Sequence, residues 1–387
     1  MSAATVRSTK LAINRLKEIK DLSAADVDAF LATHSVPIVE GTRCTFLYRG
    51  DADSVWLKHR VYGLPDEQRL RQVRGTDLWY VVIDLPEKSR MEYKLDVVHA
   101  GHGNFIDDPL NPLHSYNPIG SNSVCHAAGY ESPEWAEPDV DSRPGVIETI
   151  VVPSRALKRD CLVNVYLPAR FRRAASYPLL VVHDGTDYLN YASLGTVLDN
   201  LIHRSEMAEV VVAFLSPGDR LREYANSAAH GRFVTHELLP EMERTFPLVT
   251  QPAGRCLMGS SFGGVASLAT AVRHPKIYGS LLLQSGSFAF TDIGMEHGGG
   301  PVFDPVVKFV NSFRDRPRKV ADRVFMSCGI YEPLIYPNRS FVPLLQTTGM
   351  EVRYVESRDG HNWQSWRDRL REGLTWLFPG PHRMVYE

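Results

Sequence analysis

The sequence predicts an α/β protein in which a mainly parallel sheet, covered by helices on both faces, follows a small antiparallel β-sandwich domain. Three observations carry this expectation. From residue 146 onward apolar runs recur that are too continuous to leave one face wet, and helix-like patterns separate the later ones. Before residue 131 the apolar segments are short and alternating, with no long helical pattern between them. The two textures meet at a stretch rich in acids and prolines.

In chain order, residues 1–35 read as one or two amphipathic helices and lack the apolar core of a signal peptide. Residues 36–130 hold "CTFLYRG", "SVWLKHRV", "LWYVVIDL" and "MEYKLDVV", each bounded by Gly, Pro or Asp, the pattern of a small sandwich. The following "NFIDDPLNPLHSYNPIGSNSV" is expected to be an ordered loop, and "ESPEWAEPDVDSRPG" (131–145) a linker. Residues 146–387 form the α/β domain. Its strand-like runs are "IETIVV", "CLVNVYL", "PLLVVH", "EVVVAFL", "RCLM", "GSLLLQ", "RVFMSC" and "EVRYVE". Functional side chains are then expected on loops at the carboxyl ends of those strands.

Composition narrows the function classes. The 387 residues are enough for about two domains. Hydrophobic residues at 44% and charged residues at 23% are ordinary for a globular protein, and a net charge of −2 offers no field for nucleic acid or anionic lipid. No apolar run approaches the roughly 20 residues needed to cross a bilayer. Five cysteines stand apart with no C-x-x-C spacing, so a cytoplasmic location is expected and disulfide frameworks or zinc knuckles are not. His99 and His102 in "HAGHG" lie three apart without an evident third ligand, and neither a P-loop nor a dinucleotide fingerprint is present. No metal and no cofactor are expected.

The chemistry centres on "LMGSSFGGVASLA". Gly259-Ser260-Ser261-Phe262-Gly263 fits G-x-S-x-G between a predicted strand and a predicted helix. A strand-to-helix elbow strains its central residue, and small neighbours two before and two after let the chain pass. Ser261 is the candidate nucleophile. A hydroxyl needs a base and an acid to orient that base. Of His297 and His361 in the late loops, His361 follows the last strand and precedes the last helix, which places it on the required edge. Glu332, just past "VFMSCGIYE", is the expected acid, with Asp359 as the competitor two residues from the histidine. For the oxyanion hole, the amide of Phe262 follows the nucleophile, and "HDGTDYL" offers that of Thr186 after the bend at Gly185.

From "LVNVYLPARF" through "LLVVHDGTDYL", "REYAN", "HELLPEMERTFPL", "MGSSFGGVASL", "LQSGSF", "CGIYE" and "DGHNWQSWRDRL", the C-terminal region resembles the esterase D (putative esterase) family. The "FLYRG" strand and "DDPLNP" segment make the N-terminal region similar to the immunoglobulin-like sandwich of the enterochelin esterases. The resemblance implies an α/β-hydrolase fold, cytoplasmic location and cleavage of carboxylic esters. In the siderophore branch the small-molecule substrate is a catecholoylserine trilactone, which can arrive carrying ferric iron. By position it assigns Ser261 as nucleophile, His361 as base, Glu332 as acid and "DGT" as the oxyanion loop. Arg222 and Glu223 match the family's Arg and Glu as scaffold or pocket-edge residues, and Asp184 and Trp363 complete the expected substrate edge. Asn362 departs from the Asp that usually follows the histidine.

Feruloyl-type esterases and thioester hydrolases resemble the same catalytic region, so the acyl group stays open. A reading from another class is a non-catalytic carbohydrate-binding protein, with Trp56, Trp79 and Tyr80 stacking on sugars; alternating aromatics are more often core. The N-terminal helices either cap the cleft or mediate a homodimer.

Overall fold

In the computed structural model of the chain, residues 10–291 and 301–381 are described; His297 lies outside them. The chain divides into two compact units. One ends at Glu131 and also takes in Arg358–Gly360, and the other runs from Ser132 to Ser357 and resumes at His361.

The first unit is the expected sandwich of two antiparallel sheets. One orders strands Ile38–Glu40, Arg43–Arg49, Leu78–Asp84 and Arg71–Gln72; the other orders Glu67–Arg69, Ser54–His59, Arg90–His99, Gly120–His126 and His114–Asn117. Alternation explains the burial. Strand Ser54–His59 turns Val55, Leu57 and His59 inward, and Arg90–His99 does the same with Met91, Tyr93, Leu95 and Val97. The two short helices, Ala12–Leu16 and Ala24–Ala32, pack Ile13, Leu16, Val27 and Phe30 against Leu47 and Leu78 of the four-stranded sheet. Their apolar residues are therefore committed to the sandwich core. The second helix starts at a capping box between Ser23 and Asp26.

The sequence-based expectation of a loop after residue 103 needs correction. His102–Ile106, His114–Asn117 and Gly120–His126 are strands. Their Asn, Ser and His content hides the alternation, and buried polar bonds stand in for apolar packing. Tyr93 donates to Asp108 at 2.7 Å, and the Asn111 amide donates both to the Tyr93 hydroxyl at 2.9 Å and to the Val124 carbonyl at 2.8 Å.

The second unit holds an eight-stranded sheet: β1 (Val146–Ser154), β2 (Arg159–Leu167), β3 (Leu179–Val182), β4 (Val211–Leu215), β5 (Arg255–Ser260), β6 (Ser280–Gln284), β7 (Arg323–Gly329) and β8 (Glu351–Ser357). Their spatial order is β1-β2-β4-β3-β5-β6-β7-β8. β1 pairs antiparallel with β2, and β2 with β4, while the other pairings are parallel. Alternate residues feed two cores. Leu179, Val181, Leu257, Leu281 and Met326 face one layer; Leu180, Val182, Met258, Leu282 and Phe325 face the other. Burial on both faces is why these strands read as unbroken apolar runs.

The helices used below are α1 (Gly185–Tyr191), α2 (Arg220–Tyr224), α3 (Phe262–Arg273), α4 (Trp363–Arg367) and α5 (Leu370–Leu377). Among the described residues no helix is long and apolar enough to cross a membrane. The expected linker is partly core. Trp135 and Ala136 are buried in the second unit, and the Asn200 amide donates to the carbonyls of Trp135 and Glu137.

Candidate active site

β3, β5, β6, β7 and β8 run parallel, so their carboxyl ends share one edge of the sheet. Backbone strain collects there. Three neighbouring strands end in non-glycine residues with positive φ: Asp184 after β3 (54°), Ser261 after β5 (54°) and Ser285 after β6 (45°). Such conformations cost about 1–3 kcal/mol each and persist only where the surroundings hold them.

At the second of these turns β5 stops at Ser260 and α3 starts at Phe262, so Ser261 alone reverses the chain, with φ 54° and ψ −120°. The glycines are a steric requirement. A Cβ on Gly259 would sit 2.4 Å from the Gly263 carbonyl, and one on Gly263 would press on His183 at 3.2 Å. The Ser261 N–H donates to the Gln284 carbonyl at 2.9 Å, the Ser287 N–H donates to the Ser261 carbonyl at 3.1 Å, and the two hydroxyls lie 3.1 Å apart. Ser261 is half-buried. Phe262 is the first residue of α3, and its amide has no acceptor within the helix.

His361 and Glu332 are brought together. His361 lies between β8 and α4, Glu332 lies just past β7, and the imidazole Nδ1 is 2.5 Å from Glu332 Oε2. Glu332 Oε1 accepts from the Ser285 hydroxyl at 2.6 Å and the Gly329 N–H at 2.9 Å. Burial pushes the Glu332 carboxyl up, but His361, Ser285 and Gly329 together outweigh it and hold the group below the ordinary glutamate range. Glu332 is 1% exposed, so an ionised form needs all of these partners. The edge of Trp366 meets the His361 ring at 5.0 Å between centroids. The competing carboxylate, Asp359, groups with the sandwich unit. There it lies 3.2 Å from Arg90 Nη1 and also accepts the Gly360 N–H at 2.7 Å.

Asn362 has a local explanation. It is the N-cap of α4, and its side-chain oxygen accepts the Ser365 N–H at 2.8 Å. Asn and Asp cap helices about equally well, so the departure from the family pattern leaves the helix start intact.

The remaining expected site residues separate. Asp184 is 2% exposed, and both its oxygens are taken by Arg220, through Nε at 2.9 and 3.0 Å and Nη2 at 2.7 Å. Thr186 is the second residue of α1, where an amide likewise has no intrahelical acceptor, and its hydroxyl lies 2.8 Å from Ser216 Oγ. Gly185 packs so closely on β4 that a Cβ would fall 2.4 Å from the Cβ of Phe214. Arg222 is exposed on α2, two residues from the cation that pairs with Asp184. Trp363 is buried against Tyr188, Tyr191 and Trp366, which makes it a core residue rather than part of a substrate edge. Glu223 is scaffold: it accepts from Arg159 and from the Gly218 N–H.

Several supporting residues escaped the sequence reading. Gln284 is fully buried at the end of β6. Its oxygen accepts from Tyr188, and its amide donates to the Trp366 carbonyl. His183 directly follows β3 with Nε2 3.0 Å from His230 Nε2, and burial together with that neighbour pushes it down to about 3, so it is neutral. A polar residue closing the apolar run "SLLLQ" was the available sign for Gln284. Ser285 lies in the "LQSGSF" segment of the family resemblance with no role assigned to it, and nothing in the local sequence marks Arg220.

Comparison with known proteins agrees with this architecture. Residues 154–377, more than half of the chain, match the family described as "Putative esterase". An iron(III) enterobactin esterase from Dickeya dadantii is 25% identical, with 90% of this chain and 92% of that protein covered. An acetyl esterase from Caldicellulosiruptor saccharolyticus is 22% identical, covering 58% of this chain and 95% of that one. Among solved structures, the ferric enterobactin esterase of Salmonella typhimurium superposes with a TM-score of 0.74 at 20% identity, covering 90% of this chain and 98% of that one. The sheet is that of an α/β-hydrolase fold, and the chain belongs to the putative esterase family of carboxylic ester hydrolases.

Proposed function

We propose that Ser261 attacks the ester carbonyl and forms an acyl-enzyme, with His361 as general base and Glu332 as the carboxylate that orients it. His361 takes the hydroxyl proton as the Cβ–Oγ oxygen adds to the carbonyl carbon, then returns it to the leaving alcohol. Water repeats the sequence in reverse and releases the acid. The amides of Phe262 and Thr186 receive the oxyanion, each worth about 3 kcal/mol of barrier. The observation that carries this reading is the short segment 284–287: it bonds to the strained Ser261 turn at both ends and, through Ser285 between them, to the carboxylate that meets His361. Asp184 and Trp363 then support the site from behind, and Arg222 is the expected residue left with an exposed side chain.

For the substrate, we infer a siderophore trilactone of the enterobactin type. The support is that likeness to the iron(III) enterobactin esterase extends over 90% of the chain, whereas likeness to the acetyl esterase covers 58%. Ester hydrolysis is tested with a fluorophosphonate probe and p-nitrophenyl acetate. Wild type should be labelled on Ser261 and turn over, and Ser261→Ala should do neither. An unlabelled Ser261 in folded protein would overturn the mechanism. A screen of enterobactin, feruloyl esters and short acyl thioesters then tests the substrate class, and preference for either of the latter two would replace the siderophore reading.

A further inference from the structure

Ser285 stands where no local requirement explains a serine. It follows β6 directly, is completely buried, and holds a φ of 45°, a region that glycine occupies without steric cost. Its N–H donates to the Ser327 carbonyl at 2.7 Å, which is a backbone contact any residue could make. The hydroxyl is different. Trp366 Nε1 lies 2.9 Å from Ser285 Oγ, and Glu332 Oε1 lies 2.6 Å from the same oxygen.

The direction of these bonds follows from the chemistry of the groups. An indole N–H can only donate, so Ser285 Oγ must accept from Trp366. The single hydroxyl proton is then left for the carboxylate. Trp366 thereby sets the rotor of Ser285, and Ser285 in turn delivers a donor to one oxygen of Glu332. With the Gly329 N–H on that same oxygen, the other oxygen is left facing His361 Nδ1. A further titratable group against the carboxylate is Cys328. Burial and the adjacent carboxylate push its thiol well up, so it is neutral and leaves the Glu332 charge uncancelled. Trp366 also packs its edge on the His361 ring, so one side chain touches both the histidine and the serine that bonds its carboxylate.

We propose that Ser285 and Trp366 are positioning residues, which fix the rotation of the Glu332 carboxylate so that one defined oxygen holds the His361 imidazole in the tautomer that leaves Nε2 free to take a proton. The inference rests on the reading of Ser261, His361 and Glu332 as the hydrolytic residues. It adds that a hydroxyl 81 positions away from its indole partner in the chain is needed for full turnover.

The test is steady-state hydrolysis of p-nitrophenyl acetate across pH by Ser285→Ala, Ser285→Gly and Trp366→Phe, with Ser261→Ala and His361→Ala alongside and thermal melts on all. Ser285→Ala should lower kcat about 10- to 100-fold with KM changed less than about twofold, the loss of one hydrogen bond to a charged group. The acid limb of the profile should move to higher pH by at least about 0.5 unit, because removing a donor from the anion disfavours the least protonated form of the pair. Ser285→Gly separates the hydroxyl from the backbone. It relieves the positive φ and should still lose kcat as Ser285→Ala does. Trp366→Phe should show the same acid-limb shift with a smaller loss in kcat.

If Ser285→Gly keeps wild-type kcat and pH profile while Ser261→Ala and His361→Ala are dead, the proposed positioning role is overturned and the triad stands. If Ser261→Ala turns over like wild type, the triad itself has failed, which is a different result. Should Ser285→Ala melt below the assay temperature, the glycine and phenylalanine variants decide in the same way.

Discussion

Two strand-to-helix turns lie on adjacent strands of the sheet, β3 to α1 at Asp184 and β5 to α3 at Ser261, with the same φ of 54°. They share φ but not ψ, which is 37° at Asp184 and −120° at Ser261, and their side chains have opposite fates. The Asp184 carboxylate is buried and saturated by Arg220, and its N–H is held by the Tyr224 hydroxyl at 3.1 Å. The Ser261 hydroxyl is half-buried and lies beside another hydroxyl, an exchangeable partner. Strain therefore gathers at this edge of the sheet without distinguishing the turn proposed to react. What separates them is whether the tip side chain is committed to a strong charge-assisted pair.

Substitutions can break that contrast in order of expected effect. Ser261→Ala should reduce kcat on a p-nitrophenyl ester by about 10⁶-fold, down to the residual supplied by binding and the oxyanion hole, while the melting temperature stays within a few degrees. His361→Ala should match it, and the double variant should be no worse than either, since the residues act as a unit. Glu332→Gln should retain more activity, with kcat down by about 10⁴-fold. A fully active Glu332→Gln would move the role of acid to another residue.

On the Asp184 side the readout is stability. Arg220→Met leaves a buried carboxylate unpaired and should cost about 2–3 kcal/mol in urea unfolding, less than the roughly 3–5 kcal/mol of a fully buried pair because the guanidinium is 36% exposed. Asp184→Asn in the Arg220→Met background should recover part of that loss. Gly259→Ala tests the elbow itself: a methyl 2.4 Å from backbone at Gly263 has nowhere to go, so loss of soluble folded protein is expected.

The smallest effect is in the pH dependence of the support beneath these turns. Burial raises the Glu223 carboxyl, but the His230 ring 3.8 Å away, the Gly218 N–H and the charge of Arg159 bring it down to about 2. A depressed carboxyl contributes stability that is fully present above its unfolded value near 4.3 and is lost as pH falls toward 2. Between those limits wild type should lose more stability than Glu223→Gln. Equal slopes would show that the carboxylate is not held in the native state.

The elbow and the two-texture organisation were legible because they are local. Glycines at 259 and 263 around one serine encode a turn within five residues, and burial on both faces writes itself into each strand as an apolar run. The strands after residue 102 were not legible, since Tyr93, Asp108 and Asn111 hold that region through polar bonds that leave no periodic apolar signal. Trp363 stood close to His361 in sequence and suggested a substrate contact, yet α4 turns it into the core. Three helical positions on, Trp366 occupies the place beside the histidine.

Local residue patterns thus suffice to say where a hydroxyl can be presented on a tight turn and which strands are buried, because sterics and side-chain periodicity act over a few residues. Which carboxylate meets His361, which arginine neutralises Asp184, and that Ser285 reaches Glu332 depend on the folded chain. Those pairs are separated by 29, 36 and 47 positions. They meet because the sheet order brings the carboxyl ends of different strands side by side, and that order is set by the packing of both cores rather than by any single segment.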